Sequence, residues 1–116
     1  MRILIVEDDA FINALTSDDL ESAGYGVLSA YDADEAIAIL ENNDDVRLLF
    51  TDIDMPGSMN GLSLAAVVHE RWPPIHIIIT SGMTRPREDE IPEHSIFIPK
   101  PWNFAKVLDA VHSFGD

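Results

Sequence analysis

Five short apolar runs constrain what this chain can fold into. They are "RILIV" at 2–6, "YGVLSAY" at 25–31, "VRLLFT" at 46–51, "IHIIIT" at 75–80 and "IFI" at 96–98. A near-continuous apolar run rich in β-branched residues reads as a strand buried on both faces, which is the condition inside a parallel sheet. Helical spacing fills the gaps between the runs. Asp9 is placed to cap a first helix, with Phe11, Ile12, Leu15, Leu20 and Ala23 predicted on its inner side and Gly24 as its stop. Asp32-Ala33-Asp34-Glu35 opens a second helix, where acids suit the helix dipole; Ala33, Ala36, Ile37 and Leu40 follow on one face, and Asn42-Asn43-Asp44-Asp45 ends it. A third helix is predicted over about 62–72, carrying Leu64, Ala65, Val68 and Trp72 and terminated by Pro73-Pro74. Pro86 and Pro92 leave room for only a short fourth helix, over 86–91. Asn103 caps a last helix with Phe104, Val107, Leu108, Val111 and Phe114 on a stripe.

Strand and helix therefore alternate along the whole chain. That pattern predicts an α/β fold: a five-stranded parallel sheet, order 2-1-3-4-5, flanked by helices in the flavodoxin-like manner, the fourth helix short or irregular. The 116 residues suit one domain over 1–116, and 47% apolar content suits a folded core. No apolar run is long enough to span a membrane, and the N-terminus lacks a signal-peptide pattern; a cytoplasmic location is the default expectation. With no cysteine, disulfides, thiolate metal sites and thiol nucleophiles are excluded. Seven Lys+Arg against 21 Asp+Glu give a net charge of −14, which repels nucleic acid and attracts divalent cations.

In an open parallel sheet, ligands bind beyond the carboxyl ends of the strands, where the strand order reverses. For order 2-1-3-4-5 that point lies between strands 1 and 3. Strand 1 ends in Glu7-Asp8, strand 3 in Asp52, strand 4 in Thr80-Ser81 and strand 5 in Pro99-Lys100-Pro101. One edge thus gathers carboxylates, a hydroxyl and an ammonium from one of only two lysines. Crowded carboxylates repel, and a divalent cation resolves the conflict; all-oxygen donors suit Mg²⁺ (or Mn²⁺) rather than zinc. The four histidines (His69, His76, His94, His112) do not converge. Such a site can neutralise a phosphoryl group while Asp52 attacks phosphorus to form an acyl phosphate, with Lys100 and Thr80 meeting the phosphoryl oxygens.

These residues resemble the receiver domain of bacterial two-component response regulators. The resemblance spans the chain. It rests on Glu7-Asp8 after "ILIV", Asp52 after "LLFT", Met55-Pro56 and Gly61 in the next loop, Thr80-Ser81 after "HIII", and Lys100-Pro101 after "IFIP". It implies that Asp52 accepts phosphate from a histidine kinase or a histidine phosphotransfer protein. It implies that Asp8 holds Mg²⁺ directly and Glu7 through water, with Asp52 and the backbone carbonyl of Asp54 completing the protein ligands. Thr80 and Phe97 become the switch residues, Lys100-Pro101 a cis peptide, and Trp102 a packing anchor able to report phosphorylation by fluorescence. The domain catalyses only its own phosphorylation and dephosphorylation, and alters a protein-interaction surface in a phosphorelay. The downstream partner and oligomeric state stay open. No output domain is expected after the last helix.

Three features depart from the family pattern. The loop "MPGSMNG" is one residue longer than usual between Met-Pro and Gly; Phe97 replaces the common Tyr; and the 82–95 segment is short. Two other readings compete. A pseudo-receiver would be an interaction module without phosphorylation. A haloacid-dehalogenase-like phosphohydrolase would use Asp52 and Asp54 as its Asp-x-Asp pair, but that pair would then lie on strand 3 rather than on an early strand.

Overall fold

A computed structural model describes residues 2–115. Five strands form one parallel sheet in the order β2-β1-β3-β4-β5. They are β1 (Arg2–Val6), β2 (Gly26–Ala30), β3 (Val46–Asp52), β4 (His76–Ser81) and β5 (Ile96–Pro99). Four α-helices connect and flank them: α1 (Ala10–Ser22), α2 (Ala33–Asn42), α3 (Gly61–Arg71) and α4 (Phe104–Ser113). Where a fourth crossover helix would stand, between β4 and β5, only a 3₁₀ turn at Glu88–Glu90 forms.

Side-chain alternation divides the core between the two faces of the sheet. Leu4, Val6, Leu49, Ile77 and Ile79 meet α2 and α3 through Ala36, Leu40, Leu64 and Val68. Ile3, Ile5, Leu48, Phe50, Ile78 and Ile98 meet α1 and α4 through Leu20, Val107, Ala110 and Val111. Asp9 and Asn103 are the caps read from the sequence, and Asp32, read as a first-turn acid, is a cap as well. Asp9 accepts from the N–H groups of Phe11 and Ile12, Asp32 from Glu35, and Asn103 from Lys106. Asn60, not foreseen, caps α3 by accepting from Ser63 N–H.

One helix face differs from expectation. On α1, Phe11 is 74% and Leu15 52% exposed. The residues turned inward are Asn13, Thr16 and Leu20. Asp9, Asn13, Thr16 and Leu20 lie at spacings of 4, 3 and 4, one row along the helix. Of this row, Asn13 meets the strand ends, where backbone carbonyls need donors; Thr16 donates to Ile12 O of its own helix, and Leu20 enters the apolar core.

Candidate functional site

The site lies at the carboxyl ends of β1, β3, β4 and β5. Backbone hydrogen bonds prolong the sheet to its rim: Glu7 N–H donates to Ala30 O at 3.1 Å, Ile53 N–H to Thr80 O at 2.9 Å, and Lys100 N–H to Ser81 O at 2.9 Å. Asn13, buried in α1, donates its side-chain amide to Glu7 O at 3.1 Å and to Ala30 O at 3.0 Å. It thereby fixes the turn that presents Glu7 and Asp8. Gly61 performs the matching task on the other side. A Cβ there would lie 2.0 Å from Asp52 O, so only glycine lets α3 start against the end of β3. Earlier in the same loop Gly57 takes a left-handed conformation, φ 108°.

Within this frame Glu7, Asp8 and Asp52 each offer an oxygen, and these oxygens lie within 4.8 Å of one another. Glu7 and Asp52 are buried, while Asp8 is exposed. Lys100 Nζ donates to Glu7 Oε1 at 3.0 Å and to Asp52 Oδ2 at 2.8 Å. The remaining oxygens are held by backbone: Asp9 N–H donates to Glu7 Oε2 and Asp54 N–H to Asp52 Oδ1, both at 3.0 Å. Burial pushes the Glu7 carboxyl above its ordinary pKa, against the Asp9 N–H and Lys100, which pull it down. Burial alone would lower the Lys100 ammonium, but its hydrogen bonds to Asp52 and Glu7 outweigh that and hold it above its usual value. One ammonium thus compensates two carboxylates while a third stands beside them. A hard divalent cation fits this all-oxygen, over-charged cluster.

Thr80 and Asp54 have partners that the sequence did not reveal. The Thr80 hydroxyl donates to Ile98 O at 2.6 Å and accepts from Trp102 Nε1–H at 2.9 Å. The Asp54 carboxylate turns to β4 and the segment after it, accepting from Ser81 Oγ–H and, at 3.0 Å, from Thr84 Oγ1–H. Phe97 is half-buried on the α2–α3 face, whereas Trp102 packs on the α1–α4 face against Phe50, ring centroids 5.8 Å apart. The Lys100–Pro101 peptide is cis. The signal for Asn13 was present in the polar row of α1; none marked Trp102 as a partner of Thr80, because that contact joins residues 22 apart.

Residues 3–112 match the family model of the response regulator receiver domain. The chain belongs to that family. The receiver is 31% identical over 115 residues to the transcriptional regulatory protein CpxR of Klebsiella pneumoniae, covering 97% of this chain and 48% of CpxR. It spans about half of CpxR and 17% of a putative two-component response regulator of Arabidopsis thaliana. A CheY-like receiver domain protein of Methanospirillum hungatei superposes with a TM-score of 0.87 at 30% identity, over 97% of this chain and 91% of that one. The response regulator TrrA of Thermotoga maritima, solved with Mg²⁺ and BeF, gives 0.86 at 26% identity, over 97% and 96%. TrrA has also been solved in complex with the histidine kinase ThkA. Among the described residues of the receiver, no helix is long and apolar enough to cross a membrane.

Proposed function

We propose that this receiver is a phosphoacceptor in a two-component phosphorelay, with Asp52 as the accepting residue. The observation that carries the reading is the convergence of Glu7, Asp8, Asp52 and Lys100 at the switch point of the sheet. An Asp52 oxygen attacks phosphorus of a phosphohistidine; the P–N bond breaks, and the imidazole of the donor leaves and regains a proton from water. Lys100, held 2.8 Å from Asp52, orients the carboxylate and offsets charge on the phosphoryl group. Asp54 N–H, 3.0 Å from the other Asp52 oxygen, fixes the carboxylate plane. Asp8, Glu7, Asp52 and the Asp54 carbonyl would hold Mg²⁺, which supplies charge neutralisation at the transferred group. Asp8 is the exposed member and suits direct ligation; both Glu7 oxygens already accept hydrogen bonds, which suits contact through water. Thr80 acts as the switch hydroxyl, and Phe97, half-buried on the α2–α3 face of β5, as the second switch residue.

A donor protein must cover the rim to bring a phosphohistidine to Asp52. A cavity of about 450 Å³ lined by Ile12, Gly82, Lys100, Pro101 and Trp102 opens there, and the exposed Phe11 and Met83 are the chain neighbours of two of its lining residues. An apolar surface beside the acidic cluster fits a histidine kinase or phosphotransfer protein as partner. The phosphohydrolase alternative loses support, because its second carboxylate, Asp54, is occupied by Ser81 and Thr84.

Intact mass spectrometry after incubation with acetyl phosphate tests the assignment. A phosphoryl adduct that requires Mg²⁺ and is absent in Asp52→Asn is the expected result. Neither an adduct nor beryllofluoride binding would mean an interaction module without phosphorylation.

A further inference from the structure

We propose that Trp102 is a positioning residue of the switch: its indole N–H holds the Thr80 hydroxyl against β5 and so latches the unphosphorylated state. The proposal rests on Asp52 as phosphoacceptor. Thr80 is opposite Asp52 in the β3–β4 register and opposite Ile98 in the β4–β5 register. Its hydroxyl has one proton, and that proton is given to Ile98 O at 2.6 Å. The same oxygen accepts the Trp102 N–H at 2.9 Å. To donate to a phosphoryl oxygen on Asp52, Thr80 must leave the Ile98 carbonyl and turn its oxygen away from the indole. The relay from Trp102 through Thr80 to Ile98 therefore opposes the switch, and each bond in it strengthens the other.

The placement of the aromatic rings supports this role. Alternation along β4 and β5 sets Thr80 and Ile98 on the α1–α4 face, where Trp102 packs, and Phe97 on the opposite face. The ring in hydrogen-bond contact with the switch hydroxyl is thus Trp102. Phe50 packs against it, ring centroids 5.8 Å apart. Trp102 also lines the open cavity beside Lys100.

The test compares beryllofluoride affinity, with Mg²⁺ saturating, for wild type, Trp102→Phe, Thr80→Val and the double variant by isothermal titration. Phe keeps an aromatic ring beside Phe50 and removes the N–H with the five-membered ring that carries it; the Thr80→Val background separates the lost bond from the lost packing. Trp102→Phe should bind about 5-fold more tightly than wild type, the factor for one neutral hydrogen bond. In the Thr80→Val background the same substitution should change affinity by less than about 2-fold, because no hydroxyl remains to hold. Beryllofluoride should also shift the wild-type tryptophan emission, and the shift should vanish in Trp102→Phe, where Trp72 alone emits. Equal effects of Trp102→Phe in both backgrounds would make the residue a packing anchor and overturn the proposal. So would unchanged or weaker binding by Trp102→Phe while wild type binds. Absence of binding by wild type would overturn the phosphoacceptor reading, and the latch with it.

Discussion

Helices α1 and α4 pack on the same face of the sheet, yet they use opposite chemistry. α4 buries Val107, Ala110 and Val111, an apolar stripe at helical spacing. α1 buries Asn13, Thr16 and Leu20 and leaves Phe11 and Leu15 in solvent. The difference follows from what each helix covers. α4 lies over strand interiors, whose backbone groups are already paired. The first turns of α1 lie over the ends of β1 and β2, where the carbonyls of Glu7 and Ala30 take the Asn13 amide. An apolar side chain at position 13 would strand the Glu7 carbonyl, and the apolar residues Phe11 and Leu15 stand exposed instead. A helix beside a functional site gives core positions to polar groups and its apolar residues to partners.

The largest effect that sharpens this contrast belongs to Leu20, the one fully buried apolar side chain of α1. Leu20→Ala should destabilise the protein by about 3 kcal/mol, the cost of a buried leucine lost to a cavity. Urea melts would measure it. A loss under about 1 kcal/mol would mean that α1 is held mainly by its polar row. Asn13→Leu comes next. If burial of apolar surface ruled this position, the substitution would stabilise. With Glu7 O left short of a donor and Ala30 O keeping only the Glu7 N–H, it should instead cost about 2 kcal/mol. A stabilised variant would break the comparison.

The sequence made the architecture legible because strand burial and helix periodicity are local signals. The runs at 2–6, 46–51 and 96–98 became β1, β3 and β5 with shifts of at most one residue, and β4 moved one residue along to include Ser81. The strand predicted over 25–31 was shortened to Gly26–Ala30, and Tyr31 lies exposed beyond it. The fourth crossover shrank from the short helix predicted over 86–91 to three residues, the outcome that Pro86 and Pro92 dictate. The strand-end residues Glu7, Asp8, Asp52 and Lys100 were legible for the same reason: once strand order is set, so is their meeting place. The Trp102–Thr80 and Asp54–Ser81–Thr84 bonds were not. They depend on rotamers and on the path of 82–95, which no periodicity encodes. The inner face of α1 was misread because periodicity counts apolar residues and does not see unpaired carbonyls.

Titration separates the two helices further. Lys100 gains its stabilising contacts from Glu7 and Asp52, on the end of the sheet that α1 supports. Its pKa is raised above the ordinary 10.5 of the unfolded chain, since the hydrogen bonds to both carboxylates outweigh burial. Its contribution is therefore complete below pH 10.5 and is lost as pH rises through the folded value. Stability of wild type relative to Lys100→Met should shrink over that alkaline range in denaturant melts. A gap that stayed constant would show that the ammonium contributes nothing beyond packing. Val107→Ala in α4 removes no charged group, and its cost should be set by the lost apolar packing.

The smallest stability effect should come with a large functional one. Phe11→Ser removes a side chain that is 74% exposed, so stability should change by no more than about 0.5 kcal/mol. Labelling of Asp52 by acetyl phosphate should match wild type, because a small donor reaches the pocket without covering the rim. Phosphotransfer from a histidine kinase should slow, since a protein donor must bury that ring to bring its phosphohistidine to the strand ends. The comparison uses whichever kinase of a purified panel labels wild type fastest. Equal transfer to both proteins would leave the exposed face of α1 without a partner and remove the reason offered for its apolar surface. Slower labelling by acetyl phosphate would instead place Phe11 in the pocket's own support, beside the Asp9 cap that receives its N–H at 3.0 Å.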